Sequence, residues 1–282
     1  MASFLDARHQ AGLWRLRIDD LDTPRNVPGA TDAILRLLDA LGLHWDGAVL
    51  YQSQRLDRYR AALDDLMRRG LLYRCACSRK TLADLPSTRY PGFCRTRDVP
   101  PHLPHALRVC VPQRDDGFDD ALQGRFDYVI AERDGDFIVD RRDGVIAYQL
   151  AAAVDDGAGD ISEVLRGIDL IDSTPKQRYL QQCLGLTSPR YGHLPVLVNA
   201  QGQKLSKQTF AAPVTAHDPS AVLWRALQLL RQSPPAALRG APTQEVLAWA
   251  IAHWQLAALR GKTTLPAPSV ATSLVSNARK TV

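Results

Sequence analysis

Three of the five cysteines, Cys75, Cys77 and Cys94, lie close together in the chain. The pattern is Cys75-x-Cys77, then Tyr90-x3-Cys94, in a segment rich in Pro, Arg, Thr and Ser. A zinc ion bound structurally needs four ligands on one tetrahedron, with Zn–S near ~2.3 Å. Two cysteines one residue apart can ligate from a tight turn, and Pro91-Gly92 can bring a third back to the same ion. Tyr90, His102 and His105 are the candidates for the fourth place. The rival reading is three unrelated thiols. Their clustering where apolar residues are scarce favours one structural zinc, because so short a module cannot hold itself by apolar burial. Cys110, in the apolar run Ala106–Val111, and Cys183, on an apolar helical stretch, read as core residues. An odd cysteine count without a signal peptide argues against a disulfide framework.

A second constellation is Lys204-Leu205-Ser206-Lys207-Gln208, directly after a strand and a Gly-bearing turn. Two ammonium groups flanking a hydroxyl suit a polyphosphate. A third set is scattered. Tyr148 lies within Val145–Leu150, Arg166 ends the strand-like run Ile161–Leu165, and Asp19 opens an acidic loop. An arginine fork can grip a carboxylate, and an acidic side chain can hold an ammonium. Together they suit an amino acid. Singly, Tyr148 is a core residue, Arg166 a surface ion pair and Asp19 a turn former. Asp155-Asp156 likewise reads as a helix cap or loop rather than a site. No Ser-His-Asp or Cys-His pattern suggests a side-chain nucleophile.

The elements that must position these groups alternate between strand and helix, which predicts an α/β core. Strands are expected over Leu13–Ile18, Leu71–Arg74, Ala106–Val111, Tyr128–Ala131, Phe137–Val139, Ile161–Leu165 and Leu194–Val198. Ile34, Leu37, Leu38 and Leu41 follow helical spacing up to Gly42, and Leu56, Tyr59, Leu63, Leu66 and Met67 do so up to Gly70. Further helices are expected near Thr174–Leu184, over Pro219–Arg231 with Asp218 as cap, and over Thr243–Leu259. The chain has 282 residues, 45% apolar and 23% charged, which suits a soluble globular protein. No apolar run approaches a membrane span, and no signal-peptide core is present, so a cytoplasmic protein is expected. A net charge of +5 weakly favours an anionic partner such as nucleic acid.

Six segments taken together resemble class I glutamyl-tRNA synthetases: RIDDLDTPR (17–25), LGLHWDG (41–47), YQSQR (51–55), RRDGVIAYQLAAAVDD (141–156), VLRGIDLIDSTPKQ (164–177) and KLSKQ (204–208). More narrowly the chain is similar to their short paralogues, which glutamylate the queuosine base of tRNA(Asp). The resemblance runs in one order over roughly residues 7–257. It implies a Rossmann-type class I catalytic domain with a zinc-binding insertion and a short helical C-terminal part. It also implies ATP with Mg²⁺, L-glutamate and queuosine-bearing tRNA(Asp) as partners, no membrane, and a monomer. Lys204–Gln208 takes the place of the ATP-contacting loop, with Lys207 as its catalytic residue. Tyr148 and Arg166 match glutamate-binding positions, as does Asp19, which is one methylene shorter than the glutamate usual there. The zinc spacing matches as well, which prefers Tyr90 as fourth ligand, although tyrosine is not a usual one.

The resemblance orders the chain as 1–74, the first part of the catalytic domain; 75–105, the zinc insertion; 106–212, the remainder with its loop; 213–262, the helical part; and 263–282, a disordered tail. One departure stands at the start. The family's first strand, glutamate-binding turn and histidine-bearing nucleotide loop, on the order of 20 residues, are not found. Met1–Leu5 resembles the helix that follows them. A misassigned start codon is the simpler expectation, because the other motifs are intact. The rival readings are a fragment of a tRNA-charging glutamyl-tRNA synthetase and an inactive RNA- and zinc-binding relic.

Overall fold

The computed structural model describes residues 1–84, 87–159, 161–205, 214–215 and 217–267. The chain opens with helix α1 (Ala2–His9), then β1 (Arg17–Ile18), α2 (Ala30–Ala40) and β2 (Leu50–Tyr51). Only the last two residues of the LWRLRI run pair as a strand. Arg17 and Ile18 lie parallel to Leu50 and Tyr51. Helix α3 (Leu56–Arg68) buries Tyr59, Ala62, Leu63 and Leu66 on one face, as their spacing predicts. It leads through Gly70 into β3 (Leu72–Cys75) and short α4 (Arg79–Ala83), whose N-cap Ser78 accepts from the Thr81 amide.

Strand β4 (Ala106–Val109) joins β3 antiparallel, and the hairpin β5 (Phe118–Asp120) and β6 (Gly124–Phe126) follows. The run Tyr128–Ala131, expected as a strand, instead enters helix α5 (Ile130–Arg133). Asp116 accepts from the Ile130 amide at 3.0 Å and anchors the first turn, a long-range contact that overrides local β-propensity. Strand β7 (Ile138–Asp140) completes a three-stranded antiparallel sheet β3-β4-β7. The apolar stretch after Gly144 is helix α6 (Tyr148–Asp156). Next come β8 (Glu163–Gly167), α7 (Thr174–Cys183), β9 (Arg190–Leu194) and β10 (Val196–Val198). Strands β8 and β9 are parallel from Glu163↔Arg190 to Gly167↔Leu194. Residues 13–17, beside β1, and 161–165, in and before β8, line one groove of about 560 Å³.

The C-terminal part holds α8 (Pro219–Leu229), capped by Asp218 as expected, α9 (Thr243–Ala252) and a 3₁₀ turn at Leu256–Leu259. These helices do not form a separate layer. Leu223, Leu227, Val246, Leu247 and Trp254 share one core with Phe4 and Leu5 of α1 and with Leu41 and Leu43. The stretch from 263 is not wholly tail: β11 (Thr264–Pro266) pairs parallel with Val196–Val198 and buries Leu265. Residues 268–282 lie outside those described. A second core holds Tyr59, Leu66, Ile130, Leu150 and Leu180, all fully buried between α3, α6, α7 and the antiparallel sheet.

One buried carboxylate ties α6 to α3. Asp155 accepts from Arg55 Nε at 2.8 Å, Gln52 Nε2 at 3.0 Å and Tyr59 Oη at 2.8 Å. Replacing Asp155 by alanine leaves the half-buried Arg55 guanidinium and two dipoles without their acceptor. The expected loss is about 3–5 kcal/mol in urea unfolding. A loss under about 1 kcal/mol would mean that water replaces the carboxylate.

Candidate active site and metal centre

Parallel pairing sets the first site. The register places Arg166 of β8 directly against His193 of β9, so their side chains share one face. Arg166 Nε donates to His193 Nε2 at 3.2 Å, Nη2 to Thr174 Oγ1 at 2.7 Å, and Nη1 to Tyr148 Oη at 3.4 Å. Its guanidinium also lies 5.1 Å from the centroid of the Tyr191 ring. Thr174 opens α7 and Tyr148 opens α6, so two helix starts and two strands meet at one arginine. His193 and Thr174 are fully buried. Beneath them, His193 Nδ1 is 2.5 Å from Asp120 Oδ2. Burial opposes ionisation of Asp120. Bonds from His193 and from the Leu122 and Gln123 amides nonetheless hold its carboxyl below the usual range.

Of the sequence-predicted trio, Tyr148 and Arg166 are in contact, and Asp19 stands apart from them. Asp19 accepts from Arg17 Nε at 2.6 Å, and Arg17 also pairs with buried Asp156. Burial raises the Asp156 pKa, and the charges of Arg17 and then Arg166 pull against that shift. An electrostatic chain thus runs from Asp19 through Arg17 and Asp156 toward Arg166. Sequence reasoning passed over Asp120, Thr174 and His193. His193 sits in Arg-Tyr-Gly-His-Leu (190–194), a run not expected as a strand before Leu194, so it gave no signal.

At the loop motif, Asn199 Oδ1 accepts from the Gln201 and Gln203 amides at 3.0 and 2.9 Å and shapes the turn before it. Leu205 donates its amide to Leu197 O at 2.8 Å, and Lys204 Nζ reaches Asp169 Oδ2 at 2.5 Å. Ser206, Lys207 and Gln208 lie outside the described residues.

The second site is the cysteine cluster. The three sulfurs of Cys75, Cys77 and Cys94 lie within 4.8 Å of one another, the Cys77–Cys94 pair at 3.6 Å. Thiolates on a zinc tetrahedron stand about 3.8 Å apart, given Zn–S near ~2.3 Å. Tyr90 Oη is 3.4 Å from Cys75 Sγ and 3.7 Å from Cys77 Sγ, at a fourth corner. His102 and His105 are not part of this cluster. Burial pushes the Cys77 thiol up to about 11. Cys94 feels the same burial, but bonds from Tyr90 and the Ala76 amide hold it below its ordinary value. Buried Arg108 donates Nε to Cys75 Sγ at 3.3 Å and lies 3.7 Å from the Tyr90 ring centroid, a positive charge beside an anionic ligand set. The donor set therefore fits zinc. Gly135 brings this module onto the core: at φ +68° it lets the Tyr90 backbone approach so closely that a Cβ would meet Tyr90 O at 2.1 Å.

The family pattern of tRNA synthetases class I (E and Q), catalytic domain, matches residues 1–231. A glutamyl-Q tRNA(Asp) synthetase of Pseudomonas paraeruginosa is 45% identical over 274 residues, covering 96% of this chain and 92% of that protein. One of Aromatoleum aromaticum is 48% identical over 261 residues, covering 91% and 82%. Among solved structures, a glutamate-tRNA synthetase from Elizabethkingia anophelis superposes with a TM-score of 0.79 at 21% identity. It covers 97% of this chain, which spans 65% of that protein's length. At that identity the likeness concerns the fold. No described helix is long and apolar enough to cross a membrane.

Proposed function

This chain belongs to the class I tRNA synthetases of the glutamate and glutamine type, and we propose that it activates L-glutamate with ATP and transfers it to the queuosine base of tRNA(Asp). The observation that carries this reading is the near full-length match to relatives bearing that name. The glutamate α-carboxylate attacks the α-phosphate of ATP, giving glutamyl-adenylate and pyrophosphate. An oxygen of the modified base then attacks the mixed anhydride and releases AMP. No side-chain nucleophile is required; the protein positions its substrates and stabilises charge.

Arg166, with Tyr148 beside it, grips the side-chain carboxylate of glutamate. An arginine has five N–H donors, and three of those on Arg166 are engaged by His193, Thr174 and Tyr148. One N–H on each terminal nitrogen is left, a fork of the right shape for a carboxylate. Asp19 holds the ammonium group. Lys204 and the following Ser206, Lys207 and Gln208 attend the phosphates, with Lys207 on the charge that develops as pyrophosphate leaves. Mg²⁺ enters with ATP. Zinc, held by Cys75, Cys77, Cys94 and Tyr90, takes no part in the chemistry and orders the inserted module. Such an enzyme works in the cytoplasm, where its tRNA and ATP are found.

Incubation with labelled glutamate, ATP and separate tRNAs tests the reading. Label is expected on queuosine-bearing tRNA(Asp) and not on the same tRNA lacking queuosine. Label on the 3′ end of tRNA(Glu) instead would assign the chain to ordinary tRNA charging.

A further inference from the structure

The Arg166 fork can bind only where it is held, and the groups that hold it form a directional relay. Asp120 is ionised and accepts, so the proton between it and His193 resides on Nδ1. His193 Nε2 is then an acceptor. It faces two donors, Arg166 Nε–H at 3.2 Å and the Thr174 hydroxyl at 3.0 Å. Thr174 Oγ1 in turn accepts from Arg166 Nη2 at 2.7 Å. His193 and Thr174 thus engage Nε and Nη2, Tyr148 engages Nη1, and one N–H on each terminal nitrogen is left. Burial of His193, Thr174 and Asp120 keeps water from substituting for any of them.

We infer that His193, locked in its Nδ1–H tautomer by Asp120, is a positioning residue for amino-acid selection: it aims the Arg166 fork at the substrate carboxylate. The inference rests on the reading of Arg166 as the glutamate clamp. A histidine in the other tautomer, or a protonated one, would turn an N–H toward the guanidinium and force Arg166 to rotate. Asp120 therefore contributes to glutamate affinity without touching glutamate.

Calorimetric titration of the full chain with L-glutamate, and separately with ATP, tests this. In D120N the amide keeps an oxygen for the Leu122, Gln123 and His193 backbone groups but can present its NH₂ to Nδ1, reversing the tautomer. The glutamate Kd is expected to rise at least about tenfold in D120N and in H193N, which keeps a donor to Asp120 and loses the acceptor for Arg166. H193Q, whose amide oxygen reaches the place of Nε2, should recover most of the affinity. The ATP Kd should stay within about twofold throughout. Equal losses for ATP and glutamate, following the drop in melting temperature, would reduce His193 to a structural residue. The variant R166L separates the two levels. If R166L abolishes glutamate binding while D120N and H193N leave it intact, the relay fails and the clamp stands. If R166L binds glutamate normally, the clamp reading fails with it.

Discussion

Replacing Arg166 by leucine should lower kcat/KM for glutamate in ATP–pyrophosphate exchange by about 10²–10³-fold, with the KM for ATP unchanged. The magnitude follows from the surroundings. Removing one partner of a buried, hydrogen-bonded charge pair costs about 2–5 kcal/mol, and each ~1.4 kcal/mol is a factor of ten. In the proposed role Arg166 would meet a carboxylate in such a place: its own partners Thr174 and His193 are fully buried, so the carboxylate would leave water for a fixed fork. Lysine is not a conservative replacement, because it brings the charge without the fork and cannot satisfy Thr174, His193 and Tyr148 in one plane. R166K should therefore recover only part of the loss. A kcat/KM for R166L within about threefold of wild type would show that the glutamate side chain binds elsewhere.

The legibility of this molecule followed the range of the interactions. Helices with local apolar spacing, α3 above all, could be read from i, i+3 and i+4 positions, and α8 from its Asp218 cap and Pro219. The cysteine cluster was legible because three of five thiols fall at short spacing, whereas Arg166 read singly as a surface ion pair and was singled out only by the family resemblance. Long-range pairings defeated the reading. Tyr128–Ala131 carries β-formers, yet Asp116, fourteen residues upstream of Ile130, turns it into a helix. The strand at Thr264–Pro266 exists only because Val196–Val198, far upstream, offers it an edge. His193 and Asp120 are separated by 73 residues and meet only when β9 packs beside β5. A histidine in a strand looks like packing until its partner is known. The family resemblance supplied the order of motifs and the choice of Tyr90, which spacing left open between a tyrosine and two histidines.

Tyr90 leads to the second large effect: removing the metal should unfold the inserted module while the catalytic core survives. Among the described residues the cluster here buries Cys75, Tyr90, Cys94 and Val99, with Tyr73, Ala76, Cys77 and Leu82 partly buried against it. So little apolar burial is small beside a backbone ordering cost of about 1–2 kcal/mol for every residue of the segment. Structural zinc contributes about 10–16 kcal/mol in small domains, a large term for a module with so little apolar burial. The module is also fastened at its base, where Asp136 accepts from Tyr73 Oη at 2.7 Å and the Val111 amide at 2.8 Å and pairs with Arg95. Tyr73 and Val111 lie outside the cysteine-bearing insertion, so their bonds to Asp136 should outlast the metal. Metal analysis should therefore find about one zinc per chain. Lys80, Arg89 and Arg97 are already exposed, and chelation or C94S should free the backbone around them for cleavage by trypsin, whereas the helical far-ultraviolet circular dichroism persists. Y90F separates the ligand set from the fold. It keeps the ring beneath Arg108 and removes only the oxygen, so zinc affinity in chelator competition should fall by roughly 10–100-fold or more. An unchanged affinity in Y90F would leave the three thiolates and a solvent molecule as the ligand set. Protein without zinc that resists trypsin as well as the holo form would mean that Arg95 and Asp136, rather than a metal, hold the insertion in place.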